Sequence, residues 1–405
     1  MEIIYADNNA TTWVAPEVVA AMTPFLSTEY FNPSSMYGPA KHVAQAVATA
    51  RYRVAAALGA TDEREILFTS CATESNNHAL FGTLRALAAS DPERREVISS
   101  TVEHPAVLEV CNQLERNGYV VHRIGVDHSG TIDIRAFVRA LTPGRTALVS
   151  MMHANNETGV LFPIEQLASI TKETDPAIRF HTDATQSVGK MPIDLEGNFS
   201  NVDLLSLSGH KLHAPKGVGV LYMRRGTPIR PLLIGGHQES GRRGGTENVP
   251  YMVGLARAIE LAMATREADE LRIRDLRNRF ESEVRRRIPS IEINGDGAQR
   301  LPGTTNVSCW SIEGESMLME LNRTGICASS GSACTSGSLE PSHVLRAMQV
   351  PIGAIGGSIR FSFSRYTTES EIDRILEEFP KIVADLRQTS PFWDRTTQTP
   401  TRLDS

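Results

Sequence analysis

Residues 202–215 read Val-Asp-Leu-Leu-Ser-Leu-Ser-Gly-His-Lys-Leu-His-Ala-Pro, and the fold is decided by how that stretch is read. An apolar run of strand length stops at Ser208 and Gly209, and His210 and Lys211 follow as the backbone leaves the sheet. A lysine held at a strand end can be desolvated. Desolvation lowers an amine's pKa and frees the lone pair that attacks a carbonyl. The chain has six lysines, Lys41, Lys172, Lys190, Lys211, Lys216 and Lys381, and Lys211 is the one directly behind a buried-looking strand. From this segment alone, a lysine that merely extends its amine into water reads the same way.

Working outward, helical runs at 16–26 and 40–58 alternate with short β-branched runs at 65–69, 96–100, 119–124, 146–151, 178–182 and 202–207. This alternation predicts a mostly parallel sheet covered by helices, with ligands beyond the carboxyl ends of the strands. Polar residues collect at those ends. After 65–69 come Ser70, Cys71, Ala72 and Thr73, opening a helix whose free N–H groups favour an anion, or whose hydroxyls cap only their own backbone. After 96–100 come Glu103 and His104, the latter able to lie across a planar ring and shuttle protons or simply to hydrogen-bond its turn. The run at 146–151 leads to Asn155 and Asn156, which suit a turn or an amide contact. The run at 178–182 delivers Asp183, then Gln186; a carboxylate at a buried strand end needs a cation, either a protonated ring nitrogen or a nearby arginine.

A glycine-rich basic loop at 235–248 contains Arg242, Arg243 and Thr246. It lacks the G-x-x-x-x-G-K-[ST] order of a nucleotide-binding loop, which excludes an ATPase of that kind, and suits a phosphate, a neighbouring subunit or a solvated turn. A charged helical run at 249–288 then crosses into a second domain, with Leu255, Ile259, Leu271 and Leu276 as its packing stripe. Strands at 304–310 and 358–363 and helices at 315–322 and 369–386 follow, and the polar tail after Pro391 is expected to fray. The division predicted is a large domain over 15–260 and a small one formed by 1–14 and 261–405.

Within the second domain, residues 329–340 are nearly all small, so this loop is expected to be mobile and the thiol of Cys334 accessible for chemistry. Cys71, Cys111, Cys309 and Cys327 are expected to fill space. Alternation in 358–363 puts Arg360 opposite Ile359 and Phe361, where it offers a fork to a carboxylate or simply faces solvent.

The 405 residues exceed the size at which single cores stop growing, and 41 % hydrophobic with 22 % charged residues describes an ordinary soluble protein. A net charge of -6 argues against nucleic acid or an anionic membrane as partner. With no basic-then-apolar leader and no membrane-length apolar run, the chain reads as cytoplasmic. Five cysteines without a C-x-x-C pair argue against a disulfide framework or a zinc site.

A Schiff-base lysine, a carboxylate for a ring nitrogen, an amide for a phenolic oxygen and a phosphate cup are together the parts that pyridoxal phosphate demands. The motifs Asp7-Asn8-Asn9-Ala10-Thr11-Thr12, Thr73-Glu74-Ser75, Glu103-His104, Asn155-Asn156-Glu157, Asp183-Ala184-Thr185-Gln186, Ser208-Gly209-His210-Lys211 and the stretch 329–334 resemble the pyridoxal-phosphate cysteine desulfurases, over nearly the whole chain. The stretches 210–216, 236–248 and 336–343 and the closing Ser390-Pro391-Phe392-Trp393 resemble the nitrogen-fixation branch most. The resemblance implies an α/β fold of the fold-type I, aminotransferase class V-like kind. Its large domain would carry a mainly parallel seven-stranded sheet, beside a smaller α+β domain. It implies Lys211 as the amine that holds the cofactor and moves protons, Asp183 on the ring nitrogen, Gln186 on the phenolic oxygen and His104 on the ring face. It implies Ala72, Thr73, Ser208, Gly209 and His210 around the phosphate, joined by Thr246 from the other subunit of a homodimer, and Asn156 and Arg360 on the carboxylate of L-cysteine. Cys334 would take the sulfur as a persulfide, releasing L-alanine, and pass it to an iron-sulfur scaffold protein; no firm metal site is implied beyond Cys334 as a transient cluster ligand. Rival readings are a housekeeping desulfurase, an aminotransferase or selenocysteine lyase, and a non-enzymatic iron-sulfur scaffold using Cys334 and Cys327. The last leaves Lys211 and Asp183 without a role.

Overall fold

The computed structural model describes residues 3–330 and 341–401. The chain opens with β1 (Ile4–Tyr5), followed by α1 (Pro16–Ser27) and α2 (Gly38–Leu58). Both helices carry proline in the first turn, where a missing N–H costs nothing. The end of α2 is set by Gly59, whose φ of 71° is cheap only without a Cβ.

The sheet then builds in alternation. β2 (Ile66–Thr69) leads into α3 (Ala72–Asn77), which runs through a π-helical turn at His78–Gly82 into α4 (Thr83–Ser90). Next come β3 (Glu96–Ser100), α5 (Pro105–Arg116), β4 (Val120–Ile124), α6 (Ile134–Ala140), β5 (Thr146–Met152) and α7 (Ile164–Thr174). β6 (Arg179–Asp183), β7 (Leu204–Ser208) and β8 (Gly219–Met223) complete it. The seven strands lie in the order β2-β8-β7-β6-β5-β3-β4. All are parallel except β8, which runs antiparallel to both β2 and β7. Every residue of β3, β5, β7 and β8 is buried, as expected of strands covered on both faces. One face packs Phe68, Val149, Phe180 and Leu205 against Val18, Val43 and Leu255; the other packs Leu67, Val97, Leu148 and Leu221 against Leu80, Leu84 and Val110.

The long helix α8 (Val249–Arg287) joins the two halves of the molecule. Leu255 and Ile259 enter the first core, while Ile273, Leu276, Phe280 and Val284 enter a second. Leu271 departs from the expected stripe: it is 61 % exposed. On a straight helix it stands about 120° around from Ile259, so it faces water while Ile273 takes its place.

The second core lies under β9 (Ile291–Ile293), β10 (Thr304–Cys309), α9 (Gly314–Arg323), β11 (Ile326–Cys327) and β12 (Ser329–Ser330). α10 (His343–Ala347), α11 (Ile352–Ile355), β13 (Ser358–Ser362) and α12 (Glu369–Thr389) finish it. β12-β13-β10-β9 form an antiparallel sheet, and β1 pairs in parallel with β11. The tail does not fray as expected. β14 (Trp393–Asp394) pairs with β15 (Thr399–Pro400), and Trp393 is buried beneath the Arg387 guanidinium, 3.9 Å from its ring centre. Among the described residues no helix is long and apolar enough to cross a membrane, and no group of three or more His, Cys, Asp or Glu side chains is placed to hold a metal.

Candidate active site

The carboxyl ends of the parallel strands converge on a cleft of about 380 Å³. That volume suits a small ligand. At the end of β2, Thr69 Oγ1 lies 2.7 Å from Ser75 Oγ, and Ser70 N donates to Glu74 Oε2 at 2.7 Å, fixing the turn from which α3 starts. The helix begins at Ala72, so the N–H groups of its first turn are not consumed by its own ladder. The turn sits so close to β8 that a Cβ on Gly219 would come within 2.8 Å of the Cys71 carbonyl carbon. Ala72 and Thr73 line the cleft together with Ser208 and His210 from the end of β7. The Ser208 hydroxyl is buried and has no hydrogen-bond partner among the described residues, and His210 Nδ1 lies 3.1 Å from Thr11 Oγ1. Burial, reinforced by the nearby Lys211, pushes the His210 imidazole down to about 4.

Lys211 follows in the same turn. Its Nζ lies in the wall of the cleft and donates to the carbonyls of Asn9 (2.7 Å) and Ala10 (2.6 Å). The amine is therefore directed inward rather than into bulk water, which answers the question its strand-end position left open. Opposite it stands Asp183, the last residue of β6 and 7 % exposed. Asn76 Nδ2 donates to its Oδ2 at 2.7 Å and Thr185 N to its Oδ1 at 2.9 Å. Among the described residues no lysine, arginine or histidine makes an ion pair with it, so the arginine that could have answered this carboxylate is not there.

His104 lines the cleft as the N-cap of α5, with Ala106 N donating to its Nδ1 at 3.1 Å, so the neutral ring carries its proton on Nε2. Burial holds its pKa below the ordinary value, opposed by the charge of Asp183. Behind it Glu103 is fully buried, and its Oε1 accepts from Ser100 Oγ and Met152 N. Burial pushes this carboxyl up to about 8. Gln186 Nε2 donates to the Asn9 carbonyl at 3.0 Å, and its Oε1 accepts from Lys190 at 3.4 Å.

Asn155 and Asn156 divide the two roles the sequence left open. Asn155 Oδ1 closes the turn by accepting from the backbone of Glu157 and Thr158, whereas Asn156 faces the cleft. Arg360 also faces the cleft rather than solvent, its side chain only 3 % exposed. It donates from Nη1 to the Asn156 carbonyl at 2.9 Å and from Nη2 to Asp7 Oδ1 at 2.7 Å.

Ten residues singled out in the sequence thus meet in one place: Ala72, Thr73, His104, Asn156, Asp183, Gln186, Ser208, His210, Lys211 and Arg360. Three do not. Gly209 lies beneath the turn, where a Cβ would crowd Ala214, Val218 and Leu255. Thr246 is exposed and stands outside this chain's own cleft. Cys334 lies outside the described residues. The loop of Thr246 is not simply solvated either, since Arg243 pairs with Glu74 at 3.0 Å and Arg242 donates to the Arg64 and Glu239 carbonyls. Cys71, expected to fill space, is half-buried in the cleft wall. Sequence reasoning gave no role to Asn9, Ala10, Asn76 or Thr185. The six-residue motif beginning at Asp7 was the available signal for the first two.

The aminotransferase class-V family model matches residues 4–375. A cysteine desulfurase of Trichormus azollae is 55% identical over 392 residues, covering 97% of this chain and 96% of that protein. The cysteine desulfurase NifS of Azotobacter vinelandii is 52% identical over 393 residues, with 97% and 96% covered. Among solved structures, a NifS-like protein superposes with a TM-score of 0.87 at 37% identity, covering 95% of this chain and all of that one. The chain belongs to the aminotransferase class-V family, and within that family to the cysteine desulfurases.

Proposed function

We propose that this cleft binds pyridoxal phosphate and that the enzyme uses it to take sulfur from L-cysteine, leaving L-alanine and a persulfide on Cys334. The observation that carries the reading is the meeting of three groups in one cleft. These are an inward-facing amine at Lys211, a buried carboxylate at Asp183 that pairs with no cation among the described residues, and a buried hydroxyl at Ser208 with no hydrogen-bond partner among them. The residues fit the group: Ser208, His210, Thr73 and the first turn of α3 would hold its phosphate, Asp183 its ring nitrogen and Lys211 its aldehyde. When bound, pyridoxal phosphate supplies an electron sink for charge developing at the substrate Cα.

The chain's own groups do the rest. Arg360 and Asn156 orient the substrate carboxylate, and the charge-assisted fork of Arg360 fixes its plane. The Lys211 amine, facing into the cleft, is placed to take the proton from the substrate Cα and to return it. His104 holds a proton at Nε2 for delivery within the cleft. Cys334 attacks the substrate sulfur as a thiolate; the S–S bond forms as the C–S bond breaks, the electron pair left on Cβ is protonated, and the proton is returned to Cα, to give alanine. An ordinary cysteine has a pKa of about 8.5, so the thiol must lose its proton before or during docking.

Two substitutions test the reading. Lys211→Ala is expected to abolish the visible absorption of the purified enzyme; a variant that keeps the wild-type spectrum would remove Lys211 from its role. Cys334→Ala is expected to keep that absorption while releasing almost no sulfide from L-cysteine. Sulfide release at the wild-type rate would assign the nucleophile elsewhere.

The same reading includes a homodimer in which Thr246 reaches the partner's cleft, supported by the exposure of Thr246 and of Ile234 on the same loop. It also includes a cytoplasmic setting and delivery of sulfur to an iron-sulfur scaffold for nitrogenase maturation, supported by the similarity to the Azotobacter vinelandii NifS. Parallel sulfur-transfer assays with nitrogen-fixation and housekeeping scaffolds would separate that role from a general one.

A further inference from the structure

Arg360 is engaged by an acid of its own chain. Buried to 3 % exposure, its guanidinium would carry a large desolvation cost without a counter-charge, and Asp7 supplies one at 2.7 Å. Asp7 is no wandering terminal residue. It bridges to Ser362 on β13, two positions from Arg360, and the next residue repeats the tie through Asn8 N and Nδ2, both donating to the Ser362 carbonyl. The third nitrogen, Nε, is buried and has no hydrogen-bond partner among the described residues. A carboxylate that reaches Arg360 through the Nε edge therefore contests Nη2 with Asp7 and meets its negative charge. Glu157 also feels Arg360, but its carboxyl is turned to Ser342 Oγ, so Asp7 is the acid in direct contact.

We propose that Asp7 is a specificity-determining residue, the resident counter-ion with which the substrate carboxylate must share Arg360. It keeps the buried cation paired between turnovers and weakens the binding of every carboxylate ligand, the alanine product included. This rests on the assignment of Arg360 to the substrate carboxylate, and the opposite role, Asp7 as a brace that helps Arg360 bind, predicts the opposite sign.

The test is a spectral titration of the holoenzyme with L-alanine and with ethylamine, which is alanine without its carboxylate. In Asp7→Asn the Kd for L-alanine is expected to fall about tenfold while that for ethylamine stays within about twofold. The thermal midpoint without ligand should drop, and L-alanine should restore more of it than it adds to the wild type. Asp7→Ser provides the same reading should the asparagine variant misfold. Unchanged or weaker L-alanine binding in both variants overturns the proposal. An Arg360→Ala enzyme that binds L-alanine as well as the wild type would instead overturn the assignment beneath it.

Discussion

Glu103 is a carboxyl placed where neither water nor a cation reaches it. Oε1 is occupied by Ser100 and Met152, Oε2 is buried with no partner among the described residues, and the charge of Asp183, of the same sign, acts on it. Burial raises its pKa from 4.5 to about 8. The folded protein then holds a proton there that the unfolded chain releases above pH 4.5. That contribution to stability is fully present below pH 4.5 and is lost as pH rises towards about 8. Glu103→Gln removes the titration but keeps an oxygen for Met152 N. The urea midpoint of the wild type is therefore expected to decline relative to Glu103→Gln between pH 5 and 8; parallel curves across that range would contradict the argument. At this scale the sequence was informative where a residue's neighbours in the chain are also its neighbours in space, as at Ser208-Gly209-His210-Lys211. It was silent on Asn76, whose amide meets Asp183 from another turn.

Among the elements, β2 poses the problem of every edge strand, a row of unpaired backbone groups. Here two side chains stand in for the missing neighbour. Glu239 Oε2 accepts from Phe68 N at 3.0 Å, Arg51 Nη1 donates to the Ile66 carbonyl at 2.7 Å, and the two side chains pair with each other at 2.6 Å. Glu239 and Ser240 both adopt positive φ, 49° and 57°, to make this possible. Glu239→Ala leaves Phe68 N without its acceptor and Arg51 without its counter-charge, so a loss of about 3 kcal/mol in unfolding free energy is expected from denaturant titration. A change below about 0.5 kcal/mol would mean that the pair is only a surface contact. The elements missed in the sequence were missed for separate reasons. β8 is punctuated by Gly217 and Gly219 and reads as a turn, although Gly219 is needed for its closeness to the Cys71 turn. The β14–β15 hairpin hides in a polar tail whose one strong signal was Trp393, and Leu271 was assigned to a stripe that helical phase excludes.

Across the whole molecule, alternation of helix and strand made the large sheet readable, because a parallel sheet imposes a rhythm on the chain. What could not be read is how the first dozen residues return to the centre. Asp7, Asn9 and Ala10 reach Arg360 and Lys211 across more than 200 positions, through contacts that no local pattern encodes. The same long-range assembly constrains where sulfur can go. Ser330 is fixed by its pairing with Ile359, beside Arg360, and Cys334 follows four residues later in the sequence. Four residues of fully extended chain reach at most about 14 Å. If Cys334 takes the sulfur as proposed above, its tether to Ser330 sets the radius within which a recipient has to bring its own acceptor atom, and a recipient whose sulfur-binding group is deeply recessed would go unserved.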